Sequence, residues 1–357
     1  MFFDFSLLQP LGWRHFFFRQ LTLEQLERYT PARVVNLERN AVRADTGGGS
    51  FPVTLCSRLL FPDDPIARPT VGDWLLVEPG TNRAVERLER SSLIHRLRPG
   101  ESSDSQAIAA NVDRLLVVAA LTREFNLHRI ERYLVIAAQA GVTPLVVLSK
   151  ADLCPDPAAV AGEVSRRLRG AGDVVALDLL RDSARDALGA WLDAGTTLAL
   201  VGSSGVGKST LLNNLAGIRR QATGATREDD DKGRHTTSSR SLHRLPGELC
   251  LIDVPGLREV GLPPVAGGVA RRFAHIEALA PECRFADCTH QGEPGCAVRA
   301  AVQAGGLTAD ELDHYLRLQA EEAANTRRRE QRSRQQDKAF GKMVRATLRA
   351  KRERQGR

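Results

Sequence analysis

The densest chemistry in the chain lies in Gly202-Ser-Ser-Gly-Val-Gly-Lys-Ser209, which fits Gly-x4-Gly-Lys-Ser/Thr in full. It follows the apolar run Thr197-Leu-Ala-Leu-Val201 and precedes the helix-like Thr210-Leu-Leu-Asn-Asn-Leu215. That strand, loop and helix setting is the one a phosphate-binding loop requires. Gly202, Gly205 and Gly207 let the backbone wrap an anion, while Ser203, Ser204, Val206 and Thr210 complete the loop and the first turn after it. Lys208 would pair with the β- and γ-phosphates, and the Ser209 hydroxyl would ligate Mg²⁺. The motif implies a nucleoside triphosphate.

Asp253 ends a buried-looking strand and leads into Pro255-Gly256, forty-five residues after Lys208. In this position an acid holds Mg²⁺ and a glycine N–H meets the γ-phosphate. Ser149-Lys150-Ala-Asp152 closes another apolar strand, 144–148. A carboxylate there accepts two N–H donors from guanine that adenine lacks, and the Lys150 stem can lie over the base. Guanine is the expected base, read by Asp152 with Ser149 and Lys150. Between loop and Asp253, Gly233-Arg-His-Thr-Thr237 offers Thr236 or Thr237 as a further magnesium ligand, and the sequence does not choose between them. Leu257 follows Gly256 where many GTPases carry a water-orienting glutamine, which leaves His235 as the candidate for assisting hydrolysis.

A second constellation has a different chemistry. Cys283, Cys288, His290 and Cys296 fall within fourteen residues, with Gly292, Pro294 and Gly295 between them. Three thiols and an imidazole so closely spaced suit one tetrahedral Zn²⁺ with no open position, hence a structural ion that staples a domain with little core of its own. Cys56, Cys154 and Cys250 read as ordinary core or surface residues.

The elements that must position these groups are legible in outline. Residues 1–31 form an N-terminal extension, with Leu11-Gly-Trp13 and Phe16-Phe-Phe18 docking a short helix on the next domain. Residues 32–98 carry short apolar runs between Gly, Pro and Asp turns, which predicts a small closed β-barrel of the oligonucleotide-binding (OB) type. Trp74 is its only Trp or Tyr, so a base-stacking platform is not evident. Residues 99–110 read as a linker. Residues 111–262 alternate near-continuous apolar strands with helical patterns, as a parallel sheet covered on both faces does. Within them the base-reading motif precedes the phosphate loop, the reverse of the ordinary GTPase order, so this domain reads as circularly permuted. Residues 263–326 form a mostly helical zinc-binding domain, where Thr308-x-x-Glu311 caps a helix over 309–325.

The 357 residues carry a net charge of +7, unevenly spread. The last segment, 327–357, holds thirteen Lys/Arg against three Asp/Glu, and a basic tail on a near-neutral body suggests RNA as partner. No apolar stretch reaches membrane-span length and the Phe-rich start lacks the pattern of a secretory signal, so the expected setting is cytoplasmic, without a membrane.

With these parts assembled, the chain resembles the ribosome small-subunit-dependent GTPase A family over roughly residues 30 to 345. The resemblance rests on Asn111-Val-Asp113, Ser149–Asp152, Gly202–Ser209, Gly233–Thr237, Asp253-Val-Pro-Gly256 and the Cys₃His spacing, with Asp337-Lys-Ala-Phe-Gly-Lys-Met343 similar to the family's ending. It implies a monomeric late assembly factor of the small ribosomal subunit that binds its rRNA and GTP or GDP. Its GTPase would be stimulated by the subunit, hydrolysis would release the factor, and the family's proposed catalytic histidine would fall on His235. The alternative is an RNA-binding adaptor in which nucleotide is only a conformational switch. Ser149 replaces the family's Asn, and Leu177-Asp178-Leu179 stands in place of a Ser-Ala-type loop, so weaker guanine binding is expected. Gly205 stands where potassium-activated relatives carry Asn, so strong potassium dependence is not expected.

Overall fold

Eight residues, Thr30–Leu37, join what the sequence presents as two domains. This strand, β1, is long enough to use different parts of its edges. Arg33–Leu37 pair with β2 (Val42–Asp45), Thr30–Arg33 pair with a later strand of the same region, and Asn36 and Leu37 pair with a strand near residue 240. The computed structural model describes residues 3–38, 41–97, 105–217, 240–253 and 267–328, with 330, 331 and 334.

After β2 come β3 (Ser50–Leu55), β4 (Trp74–Glu78) and β5 (Arg83–Arg87). The pairings are β2 with β3, β3 with β5 in parallel, β5 with β4, and β4 with β1. Alternation does the sorting here: Leu75 and Val77 of β4 face a core with Ala32, Val34, Ala44, Val53 and Ala84, while Trp74 and Leu76 face the other way. A freestanding closed barrel over 32–98 is therefore not what is found. The strands belong to one mixed eleven-stranded sheet, because β1 is also hydrogen-bonded to the GTPase-like half.

The outer face of β4 is covered by the N-terminal extension, a 3-10 turn over Phe5–Leu11 followed by α1 (His15–Phe18) and α2 (Leu23–Arg28). Trp13 packs edge-on to Trp74 at 4.7 Å and Phe17 lies 5.7 Å from it, leaving Trp74 fully buried. A short helix α3 (Ser57–Leu60) follows β3. Next, β6 (Leu93–Leu97) pairs with β7 (Ser105–Ala110), so part of the stretch read as linker is strand, with Ala107 and Ile108 buried.

The remaining strands run β10-β9-β8-β11-β13-β12 across the sheet. They are β8 (Arg114–Ala120), β9 (Thr143–Ser149), β10 (Asp173–Leu177), β11 (Thr197–Val201), β12 (Arg240–Leu245) and β13 (Leu249–Asp253). All neighbours are parallel except the hairpin β12–β13. Leu115, Leu116 and Val117, like Leu145 through Leu148, are wholly buried, which is why these strands read as unbroken apolar runs. The crossovers are α4 (Leu127–Ala140), N-capped by Asn126 and ended by the left-handed Gly141, and α5 (Pro157–Leu168), N-capped by Asp156 with proline in its first turn. Between β10 and β11 stand only α6 (Ala184–Ala187) and a 3-10 turn at Gly189–Trp191, since Gly189 interrupts a longer helix. After β11 comes α7 (Lys208–Leu215).

Two compact units result: Met1–Arg96 with Gln106–Gly261, and Leu97–Ser105 with Leu262–Arg357. In the second, α8 (Gly268–Arg272), α9 (Ala274–Glu277), α10 (Ala297–Gln303) and a helix over 309–328 surround buried Phe273, Ile276, Val298 and Tyr315. Thr308 Oγ accepts from the Glu311 N–H at 3.1 Å, and the buried Glu311 carboxylate meets His275 Nε2 at 2.9 Å. Among the described residues no helix is long and apolar enough to cross a membrane.

Candidate functional site

Register brings the sequence motifs to one edge of the sheet. Ser149 is paired with Ala120 of β8 and Leu177 of β10, while β11 delivers Gly202 one residue beyond the Val117–Val201 pair. On β13, Ile252 pairs with Ala199 and Asp253 follows as the last strand residue. The carboxyl ends of β9, β10, β11 and β13 thus share one edge, where open parallel sheets bind ligands.

The loop's first glycine has no substitute. Gly202 has φ +146°, and a Cβ there would stand 2.3 Å from the Val118 carbonyl oxygen. Gly207, at φ +95°, is the N-cap of α7, a left-handed position that favours glycine, and Leu179 Cδ1 lies beside it. Lys208 is the first residue of α7, and its ammonium donates to the carbonyls of Gly202, at 2.9 Å, and Ser203. Ser204, Gly205 and Ser209 are exposed, and Val206 and Thr210 half-buried.

Ser149, which replaces an expected Asn, is fully buried and donates its hydroxyl hydrogen bond to the Val206 carbonyl at 2.5 Å, with Ala119 O at 3.3 Å. The short hydroxyl therefore ties the end of β9 to the phosphate loop. Lys150 takes a left-handed conformation, φ +56°, and caps the 3-10 turn Ala151–Leu153, on which Asp152 is exposed. The Leu177-Asp178-Leu179 stretch joins them through Leu179: Asn214 Nδ2 of α7 donates to its carbonyl at 3.2 Å. His235, Thr236, Thr237 and Gly256 lie outside the described residues, as does the side chain of Asp253.

Other polar residues carry structure that sequence reading did not assign. At the amino end of β8, Asn111 Nδ2 donates to Gly72 O at 2.9 Å and Asp113 accepts from Thr197 N at 2.8 Å and pairs with Arg14. The buried Arg33 guanidinium donates to Leu11 O, to Thr197 Oγ at 2.9 Å, to Asn111 O at 3.0 Å and to Gly72 O at 3.2 Å. Burial holds its pKa below the usual arginine value. None of these partners is near it in sequence. At the carboxyl end, Arg129 of α4 donates to Ser203 Oγ at 2.7 Å across 74 residues, again without a local sequence signal.

The metal-binding expectation meets a matching geometry. Cys283, Cys288, His290 and Cys296 present ligand atoms all within 4.8 Å of one another. His290 Nδ1 lies 3.6 Å from Cys283 Sγ and 3.4 Å from Cys296 Sγ, with those sulfurs 4.0 Å apart. Tetrahedral Zn²⁺, with Zn–S about 2.3 Å and Zn–N about 2.0 Å, requires ligand separations of about 3.5–3.8 Å. Burial and the neighbouring sulfurs push the Cys288 thiol up to about 11. Cys283, against its own burial, is held below the ordinary thiol value by the backbone N–H groups of Ala297 and Val298. A divalent cation held by these four residues would relieve this resistance to a second thiolate. Glu293 orders the turn between the ligands, accepting from Thr289 N at 2.8 Å and from Gln291 N and Gly292 N at 3.1 Å each, and these contacts with the Thr289 hydroxyl hold its carboxyl well below the usual range.

The Gly202–Ser209 loop after β11 and Ser149–Asp152 after the earlier β9, on neighbouring parts of one parallel sheet, fit the fold of a circularly permuted GTPase. The family described as RsgA GTPase matches residues 87–263. The small ribosomal subunit biogenesis GTPase RsgA 2 of Vibrio parahaemolyticus is 43% identical over 349 residues, covering 98% of this chain and 94% of that protein. The RsgA of Mesorhizobium japonicum is 42% identical over 322 residues, 89% of this chain and 91% of its own length. The chain belongs to the RsgA GTPase family. In fold it is similar to YjeQ from Thermotoga maritima, at TM-score 0.60 and 21% identity over 83% of this chain and 99% of that one. A structure titled YloQ, a circularly permuted GTPase, aligns at TM-score 0.59 and 20% identity over 83% and 96%.

Proposed function

We propose that this chain is a GTP hydrolase acting late in biogenesis of the small ribosomal subunit; the names of its relatives carry GTPase and small-subunit biogenesis, and the late stage is our reading. The observation that supports the nucleotide reading best is the convergence of three strand ends on one loop: Ser149 bonds Val206 O, Leu179 packs against Gly207, and Lys208 caps the loop's own carbonyls. In this reading Gly202 through Thr210 cradle the phosphates, and Lys208 turns from the loop carbonyls to the phosphate oxygens when nucleotide enters. Asp152, with Ser149 and Lys150, reads guanine. Ser209, Asp253 and Thr236 or Thr237 would hold Mg²⁺, which neutralises phosphate charge, while Gly256 meets the γ-phosphate and His235 assists hydrolysis.

The other regions supply the partner. The ring of pairings among β1 to β5 is read as an OB-type module, 32–98, with Trp74 as core and not as a base-stacking group. Cys283, Cys288, His290 and Cys296 hold one structural Zn²⁺ in the domain 263–326, and the basic segment 327–357 contacts rRNA. The chain acts as a cytoplasmic monomer, and hydrolysis, stimulated by the subunit, releases it.

GTP hydrolysis by the purified chain, with and without small ribosomal subunits and with ATP in parallel, tests this reading. Stimulation confined to GTP and the small subunit is expected. Equal slow rates under all conditions would leave the adaptor reading instead.

A further inference from the structure

The two arms of the phosphate loop are held very differently. The inner arm, Val206 and Gly207, is fixed by the buried Ser149 hydroxyl and by Leu179. The outer arm, Ser203 to Gly205, borders with Val206 a cavity of about 490 Å³ whose other walls are the end of β8, residues 122–126, Arg129, Ile130 and Tyr133 of α4, and Lys150. Across that cavity Arg129 Nη1 ties the outer arm by donating a 2.7 Å hydrogen bond to Ser203 Oγ. Arg129 is itself well placed to hold a fixed position, since it lies in the first turn of α4 and its backbone N–H donates to the Asn126 cap at 3.2 Å. Lys208 holds the Ser203 carbonyl at the same time, so two cations meet on one loop residue.

These two ties differ in what nucleotide does to them. Lys208 is needed at the phosphates, so its bonds to the loop carbonyls are exchanged when the anion arrives. Arg129 bonds a side-chain hydroxyl on the cavity side of the loop and need not move. We infer that Arg129 is a positioning residue of the phosphate loop, which acts through Ser203 Oγ to keep the outer-arm N–H groups aimed at the nucleotide's phosphates. This inference rests on the reading of residues 202–209 as the nucleotide site. Its guanidinium suits the task better than an ammonium, because a planar donor fork loses less freedom on bonding.

The test uses the full chain and compares R129Q, S203A, the double variant and R129K, reading GDP affinity by calorimetry, KM and kcat for GTP, and thermal unfolding. R129Q is expected to weaken GDP binding and raise KM about fivefold, the scale of one solvent-accessible charge-assisted hydrogen bond. kcat and unfolding temperature should stay nearly constant, S203A should match R129Q, the double variant should lose no more than either, and R129K should recover part of the loss. Unchanged KM in R129Q, or losses that multiply in the double variant, would overturn the inference. K208A separates the two levels. Lost GDP binding in K208A beside a silent R129Q refutes only the role of Arg129, whereas retained binding in K208A refutes the nucleotide site itself.

Discussion

The two ends of the parallel strands both carry polar residues and treat most of them in opposite ways. At the amino end Arg33, Asn111 and Asp113 spend their hydrogen bonds on the protein: on Leu11, Gly72, Thr197 and Arg14. Arg33 and Asn111 are almost wholly buried. At the carboxyl end Ser204, Gly205, Ser209 and Asp152 are exposed, and the loop glycines present backbone rather than side chains. The lesson is that polarity alone does not mark a ligand site. A polar group closed off by protein partners anchors the fold, and one left facing water at the ends of β9 and β11 is free for a ligand.

The cysteine–histidine knuckle is a third case, in which, on the proposed reading, a bound Zn²⁺ would complete the set, and it should give the largest effect. Removing metal with a chelator, or substituting Cys288→Ser, is expected to cost on the order of 10 kcal/mol of local stability. Metal analysis and limited proteolysis within 267–328 would record it, and intact protection after chelation would place the knuckle with the self-satisfied amino end instead. Next comes Arg33→Met, which removes a donor from four buried acceptors, of which Gly72 O keeps Asn111 Nδ2, and should lower unfolding free energy by about 3–5 kcal/mol. Denaturant titration measures this, with GDP affinity per folded molecule expected to hold. A stability loss below about 1 kcal/mol would break the contrast, because Arg33 would then be no anchor.

Lys208→Ala inverts that pattern. GDP affinity should fall about a hundredfold, as expected for losing a cation at a phosphate, with stability changed by less than about 0.5 kcal/mol. Calorimetry and thermal unfolding on one preparation decide it, and a mainly thermal effect would mean that Lys208 serves the loop and not the ligand. Ser149→Ala is the smallest change and sits between the two classes. It should cost about 1 kcal/mol of stability and weaken GDP binding roughly fivefold, because the buried Val206 carbonyl loses its donor. Effects on stability alone would assign Ser149 to the anchoring class.

How much of this could be read from the chain differs by region. The phosphate loop, its flanking strand and helix, the cap at Thr308 and the four knuckle ligands all lie within short windows, and their chemistry depends on spacing along the backbone. Alternation of apolar runs with helical patterns likewise points to the parallel sheet, and the helix ended by Gly141 follows from one residue's access to left-handed backbone.

Other features depend on partners brought together only by folding. Trp74 has the type of a base-stacking residue, and Trp13 and Phe17, some sixty residues earlier, turn it into core. Ser149 looks like a loss beside Asn until the Val206 carbonyl is found within its reach. The merging of 32–98 with the larger sheet hangs on two residue pairs between β1 and β12, and the Arg33 and Arg129 bonds span 164 and 74 residues. Local chemistry is written in local sequence because its atoms are covalently near. Whether a polar side chain becomes an anchor or stays open to a ligand depends on burial and on distant acceptors, and those exist only once the sheet has formed.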